Sequence, residues 1–132
     1  MEHGFVHTGI FLGWIIDHDL YSEWFGKELG GYAAAFKARD MTGAKVFDAC
    51  DGGFMENMLS EEGNRFARDY FDFERGKYLR YYGELLAKGL PTIYHVADSW
   101  ANYEKLKARI DKRYREWKSS QSGWRSWLAK LR

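Results

Sequence analysis

The first apolar stretch, residues 5–20, reads FVHTGIFLGWIIDHDL. It constrains the fold more than any other feature. Phe5, Ile10, Phe11, Leu12, Trp14 and Ile15 nearly close the circumference of a helix, and a helix apolar on all sides belongs at the centre of a core. The run is too short and too interrupted to span a bilayer, which takes about 20 mainly apolar residues. The spacing predicts a helix from about Val6 to about Asp19. Gly9 and Gly13 lie four apart. Each costs roughly 1 kcal/mol against Ala inside a helix, a cost that close approach by a neighbouring helix would offset. The stretch runs into an acidic and aromatic cluster, Asp17, Asp19, Tyr21, Glu23 and Trp24, placed to meet solvent or a partner.

Beyond this cluster the chain reads as short helices punctuated by glycine. Gly30-Gly31 reads as a break. Tyr32 to Arg39 is a short Ala-rich helix, and Thr42 is placed to cap Ala44 to Ala49. Asp51-Gly52-Gly53 is a turn signal, with a helical turn or two after it over Phe54 to Leu59. Helical spacing resumes over Asn64 to Phe73 and over Lys77 to Lys88. Gly89-Leu90-Pro91 then stops the helix. Pro91 is the chain's single proline, and such scarcity suits a helical protein. Thr92 to Val96 is the one run with strand character, an extended connector.

Asp98 or Ser99 caps the longest helix, Trp100 to about Lys118, whose apolar stripe is Trp100, Tyr103, Leu106, Ile110, Tyr114 and Trp117. Ser119 to Gly123 reads as a polar linker before a last amphipathic helix bearing Trp124, Trp127, Leu128 and Leu131. The expected fold is all-α: one multi-helix bundle over residues 1–118, with 119–132 packed on the same domain. A length of 132 residues fits one domain.

Composition narrows the function classes. Aromatic residues make up 18% of the chain, and Tyr and Trp serve interfaces as well as cores. The formal charge is only +1, but it is unevenly placed. Residues 100–132 carry ten Lys and Arg against Glu104, Asp111 and Glu116, while residues 1–99 carry ten basic and sixteen acidic residues. The expected molecule is dipolar, with charge able to steer a partner. A single cysteine, Cys50, rules out an internal disulfide and fits a reducing compartment. The start, Met-Glu-His-Gly, has no basic n-region, so no signal peptide and a cytoplasmic location are expected.

No motif commits the chain to chemistry. His3 and His7 share a helical face, but no third or fourth ligand stands at zinc spacing; His7 reads as a core residue and His3 as a solvated one. His18 between Asp17 and Asp19 fits a charged helix end. Asp51-Gly52-Gly53 with Asp48 and Glu56 lacks the oxygen ligands of a calcium loop, and Cys50 reads as a small buried residue. No metal or cofactor is expected. The enzyme alternative needs His7, His95 and Asp98 to converge. A third alternative is nucleic-acid binding by the basic helix, Lys105 to Lys118, although its cations spread around the helix.

One series of segments is familiar as a set. It comprises His7-Thr8-Gly9-Ile10-Phe11-Leu12-Gly13-Trp14, Cys50-Asp51-Gly52 with Phe54, Leu59 with Glu62-Gly63-Asn64, and Phe66-Ala67. It continues through Asp69-Tyr70, Tyr78-Leu79 with Tyr82, Tyr94-His95-Val96 with Asp98, Trp100, Asn102-Tyr103, and Asp111 to Trp117. In this order it resembles an uncharacterised family of small helical bacterial proteins, similar to the immunity proteins encoded beside interbacterial toxins. The resemblance implies a non-enzymatic protein that neutralises a cognate toxin domain by direct binding. It transfers no catalytic residue. The expected contact surface is Asp17, Asp19, Tyr21, Glu23 and Trp24, with Trp or Tyr as the energetic centre.

Overall fold

A computed structural model of the chain describes residues 6–50, 56–70, 82, 85–86, 88–90 and 96–130, with side chains as far as residue 120. Six α-helices stand among the described residues: α1 (Val6–Asp17), α2 (Glu23–Glu28), α3 (Gly30–Lys37), α4 (Gly43–Ala49), α5 (Glu61–Tyr70) and α6 (Trp100–Lys130). A 3-10 turn covers Glu56–Met58. The only strand-like pairing among the described residues is an isolated antiparallel bridge between Tyr21 and Leu59. The all-α expectation therefore holds. No helix among these residues is long and apolar enough to cross a membrane.

Helix α1 is the axis of the molecule. Every residue from Val6 to Ile16 is buried, as a helix without a polar face requires. Its two glycines serve close packing. A Cβ on Gly9 would collide with the backbone of Ala44, and one on Gly43 would collide with the Gly9 carbonyl, so α1 and α4 touch backbone to backbone. A Cβ on Gly13 would meet the Phe36 ring of α3.

Helices α5 and α6 close the other side with aromatic rings. Trp14 lies 5.2 Å from Phe66 and 5.1 Å from Tyr114 between ring centroids, and Phe66 lies 5.4 Å from Trp117. Such spacings fit offset and edge-to-face packing.

Two helices end in the same unusual way. Leu20 N–H donates to Ile15 O at 3.0 Å and Asp19 N–H to Ile16 O at 3.0 Å, a Schellman closure with Asp19 at φ 55°. Helix α3 repeats it: Asp40 N–H donates to Ala35 O and Arg39 N–H to Phe36 O, both at 2.9 Å, with Arg39 at φ 66°. Glycine normally takes this position; a residue with a Cβ costs about 1–2 kcal/mol there.

Several boundaries differ from the sequence-based expectation. Helix α1 stops at Asp17, two residues early, because the Schellman turn needs His18 to Leu20. Gly30-Gly31 opens α3 rather than breaking the chain, since Leu29 is both the C-cap of α2 and the N-cap of α3. Helix α2 has no counterpart among the helices expected from spacing. Phe54 to Leu59 holds only the 3-10 turn among its described residues. Helix α6 runs through Ser119–Gly123, where composition predicts a linker, because Ser, Gln and Gly there occur without proline and are tolerated once a helix is nucleated.

Cys50 is half-buried as the α4 C-cap rather than fully buried. Thr42 caps α4 as expected, accepting from Lys45 N–H at 3.4 Å. Ser99 caps α6 by accepting from Asn102 N–H at 3.2 Å. The connector at 92–95, most of 77–88 and the packing of residues 121–132 lie outside the described residues.

The close approach makes a sharp prediction. Gly43→Ala forces two helix backbones apart and should cost about 3 kcal/mol, the upper part of the overpacking range. Gly31→Ala, where a Cβ meets nothing within 4 Å, should stabilise by about 0.5–1 kcal/mol through helix propensity. Urea denaturation of the two variants checks both signs.

Candidate functional site

The end of α1 poses an electrostatic problem. Its C-terminus carries partial negative charge, which disfavours carboxylates there, yet Asp17 and Asp19 sit at that end and no basic residue lies in the last turn. Helix α3 supplies the answer. Arg39 holds Asp17 with two nitrogens, Nη1 at 3.2 Å and Nη2 at 3.0 Å. Lys37 pairs with Asp19, which raises the Lys37 ammonium above its ordinary value. The two-residue step from Asp17 to Asp19 thus matches the step from Lys37 to Arg39.

From α6, Tyr103 donates to Asp17 Oδ2 at 2.6 Å. Burial, and then this bond, push the Tyr103 hydroxyl far up. The Arg39 guanidinium also lies over the rings of Phe36, Trp100 and Tyr103, at 5.0, 4.9 and 5.5 Å, adding cation–π attraction.

His18 turns to the other side. Its Nε2 lies 2.8 Å from Asp111 Oδ1, which also accepts from Trp14 Nε1 at 2.8 Å, while Lys107 reaches Oδ2 at 3.1 Å. Burial raises the Asp111 carboxyl, but the bonds from Trp14, Lys107 and His18 outweigh it and hold the group below its ordinary value. The same pattern recurs on α5 and α6. Tyr114 donates to Glu62, which Lys118 also holds at 3.1 Å, and Trp117 Nε1 donates to Asp69 at 2.7 Å. The Tyr114 bond, ahead of Lys118, keeps the Glu62 carboxyl below its ordinary range.

The five residues expected at a contact surface therefore divide. Asp17 is only 14% exposed in its side chain and is committed to Arg39 and Tyr103. Asp19 is exposed but paired with Lys37. Tyr21 is half-buried, bridges to Leu59 and packs 5.6 Å from Phe25. Glu23 and Trp24 are exposed on α2, Trp24 at 46%.

Helix α2 is a small platform. Phe25 is its one buried residue. Ser22 fastens its start: the hydroxyl accepts from Phe25 N–H at 3.1 Å and donates to Asn57 O, while Ser22 N–H donates to Met58 O at 3.0 Å. Outward it presents Glu23, Trp24, Lys27 and Glu28. Neither Glu23 nor Glu28 is in an ion pair among the described residues.

Residues 1–96 match a domain of unknown function, DUF7832. The chain belongs to this family. No curated protein and no solved structure matches it. The DUF7832 region contains α1 to α5, including the whole α2 platform, whereas Tyr103, Asp111 and Tyr114, which hold the end of α1 and α5, come from α6 beyond it.

Of the residues named for an enzyme, His7 is buried beside Tyr82, with rings 5.9 Å apart edge to face, and burial lowers its basicity. Burial, and secondly the charge of Asp98, push the Tyr82 hydroxyl up. Asp98 is exposed and accepts from Thr42 Oγ1 at 2.7 Å. His95 and His3 lie outside the described residues. Among the described residues no group of three or more His, Cys, Asp or Glu could hold a metal ion.

Sequence reasoning missed the inward role of Asp17. The available signal was two carboxylates at a helix end that repels them.

These pairings make two predictions. Asp17→Asn removes the carboxylate that Arg39 holds with two nitrogens, leaving only Glu104 at 3.8 Å, and should cost about 1–3 kcal/mol, read by thermal or urea unfolding. The carboxyls of Glu62 and Asp111 are held below their ordinary values of 4.5 and 3.8. Their contribution to stability is therefore complete above about pH 4.5 and is lost as pH falls through their lower folded values. Glu62→Gln should flatten this acid limb, measured as the urea midpoint from pH 6 downward.

Proposed function

We propose that this protein works by binding another protein through the face of α2, with Trp24 at the centre. The observation that carries this reading is Trp24 itself: a large aromatic side chain left 46% exposed on a helix anchored by one buried residue, beside Glu23 and Glu28. Aromatic anchors of this kind dominate binding energy in protein interfaces. Unneutralised carboxylates around them speed encounter with a basic partner. Asp19 and Tyr21 flank the face, and Asp17 contributes by holding the end of α1 rather than by direct contact.

The finer proposal is an immunity protein that acts in the cytoplasm. It would cover the active site or substrate entrance of a cognate bacterial toxin domain. The ordered motif series supports it by resemblance, which is an associational argument. The acidic face supports it chemically, because it suits a basic cleft. Nothing in this action calls for a catalytic residue, a metal or a cofactor.

The test is co-expression with the product of the neighbouring gene. That product alone should arrest growth, and this chain should restore growth and form a stoichiometric complex. Glu23→Lys with Trp24→Ala should weaken the complex about 30-fold or more, the effect of losing a hot spot of about 2 kcal/mol, with an unchanged melting temperature. A harmless neighbour would end the immunity reading. A partner bound equally well by the double variant would remove α2 as the contact.

A further inference from the structure

Helix α6 has a second surface that the α2 reading leaves unused. Ala101, Lys105, Ala108, Lys112, Arg115 and Ser119 succeed one another at steps of four and three, so they form a single ridge along the helix. All six are exposed. Several other charges of α6 are paired. Lys107 pairs with Asp111, Arg113 with Glu116, Lys118 with Glu62, and Glu104 lies 3.8 Å from Arg39. Lys105, Lys112 and Arg115 are in no ion pair among the described residues. Three exposed cations, Lys105, Lys112 and Arg115, thus stand outside these pairs and in one line.

We infer that this ridge of α6 binds the phosphodiester backbone of nucleic acid without sequence preference. The rise from Lys105 to Lys112 is about 10 Å and from Lys112 to Arg115 about 4.5 Å. With their long side chains, three such cations can reach phosphates along one strand. The rest of the ridge is low, with Ala108 between the cations and Ala101 and Ser119 beyond them, so a polyanion can lie against it. It offers no aromatic anchor of the kind a protein partner needs, and no amide side chain aimed outward to read base edges. Asn102 is occupied, donating to Ala97 O at 3.0 Å. Positive charge in a line with no reading group is the chemistry of backbone binding. The surface is independent of α2, so either reading can fail without the other.

The experiment is fluorescence anisotropy of the full chain with labelled random-sequence duplex and single-stranded DNA and RNA, titrated from low to physiological salt. Three phosphate contacts predict weak binding whose log affinity falls against log salt with a slope of about −3 on duplex. Lys105→Glu, Lys112→Glu and Arg115→Glu combined should reduce affinity at least about tenfold at low salt with an unchanged circular dichroism spectrum, while Trp24→Ala should leave it untouched. Absence of binding to every probe at low salt would overturn the inference, as would full binding by the triple variant. Binding of a polyglutamate peptide in place of the nucleic acids would overturn it in favour of an acidic protein partner.

Discussion

The backbone contact between α1 and α4 is the constraint on which the rest depends. Gly9 and Gly43 remove the side chains that would hold the two helices apart, and the dispersion gained by close-packed backbone is lost steeply with distance. With α4 seated there, α1 is covered on one side and needs α3, α5 and α6 only around the remainder. Phe36 fills the space above Gly13, and the rings of Phe66, Tyr114 and Trp117 continue the cover around Trp14 and Phe11. A helix this apolar has no stable place except inside such a sleeve.

The polar chemistry stems from the same burial. Four aromatics with a polar tip reach the edge of the core, and each tip meets a carboxylate: Trp14 with Asp111, Tyr103 with Asp17, Tyr114 with Glu62 and Trp117 with Asp69. A buried ring with a satisfied polar end contributes its area without the penalty of an orphaned donor. The carboxylates in turn recruit Arg39, Lys107, His18 and Lys118. Much of the charge near the aromatic core is therefore structural. Binding is assigned to two surfaces whose charges stand outside these pairs, the α2 face of Glu23, Trp24 and Glu28 and the α6 ridge of Lys105, Lys112 and Arg115.

The helical class, the central role of α1, the closely packed glycine at Gly9 and the Thr42 cap were legible in the residues, because periodicity and capping chemistry act locally. The long C-terminal helix was legible in its stripe from Trp100 to Trp117, but its continuation past Ser119 was not, since polar linkers and exposed helix share a composition. Helix α2 was not read from the sequence: six residues with one buried apolar anchor give no period. Of the candidate site, Trp24 and Glu23 are exposed. Asp17 is turned to Arg39 and Tyr103, partners 22 and 86 residues away, a distance at which spacing carries no information. Membership in DUF7832, which covers residues 1–96, is consistent with an uncharacterised family and assigns no activity.

Native-state hydrogen exchange read by mass spectrometry tests the central claim most directly, because it measures the stability of each helix separately. Amides of α1 and α4 should exchange last and together, through global unfolding. Those of α2, held by Phe25 and the Ser22 cap, should exchange earlier through local opening. Amides of α1 that exchange as early as those of α2, or before those of α4, would contradict an architecture built on the α1–α4 contact.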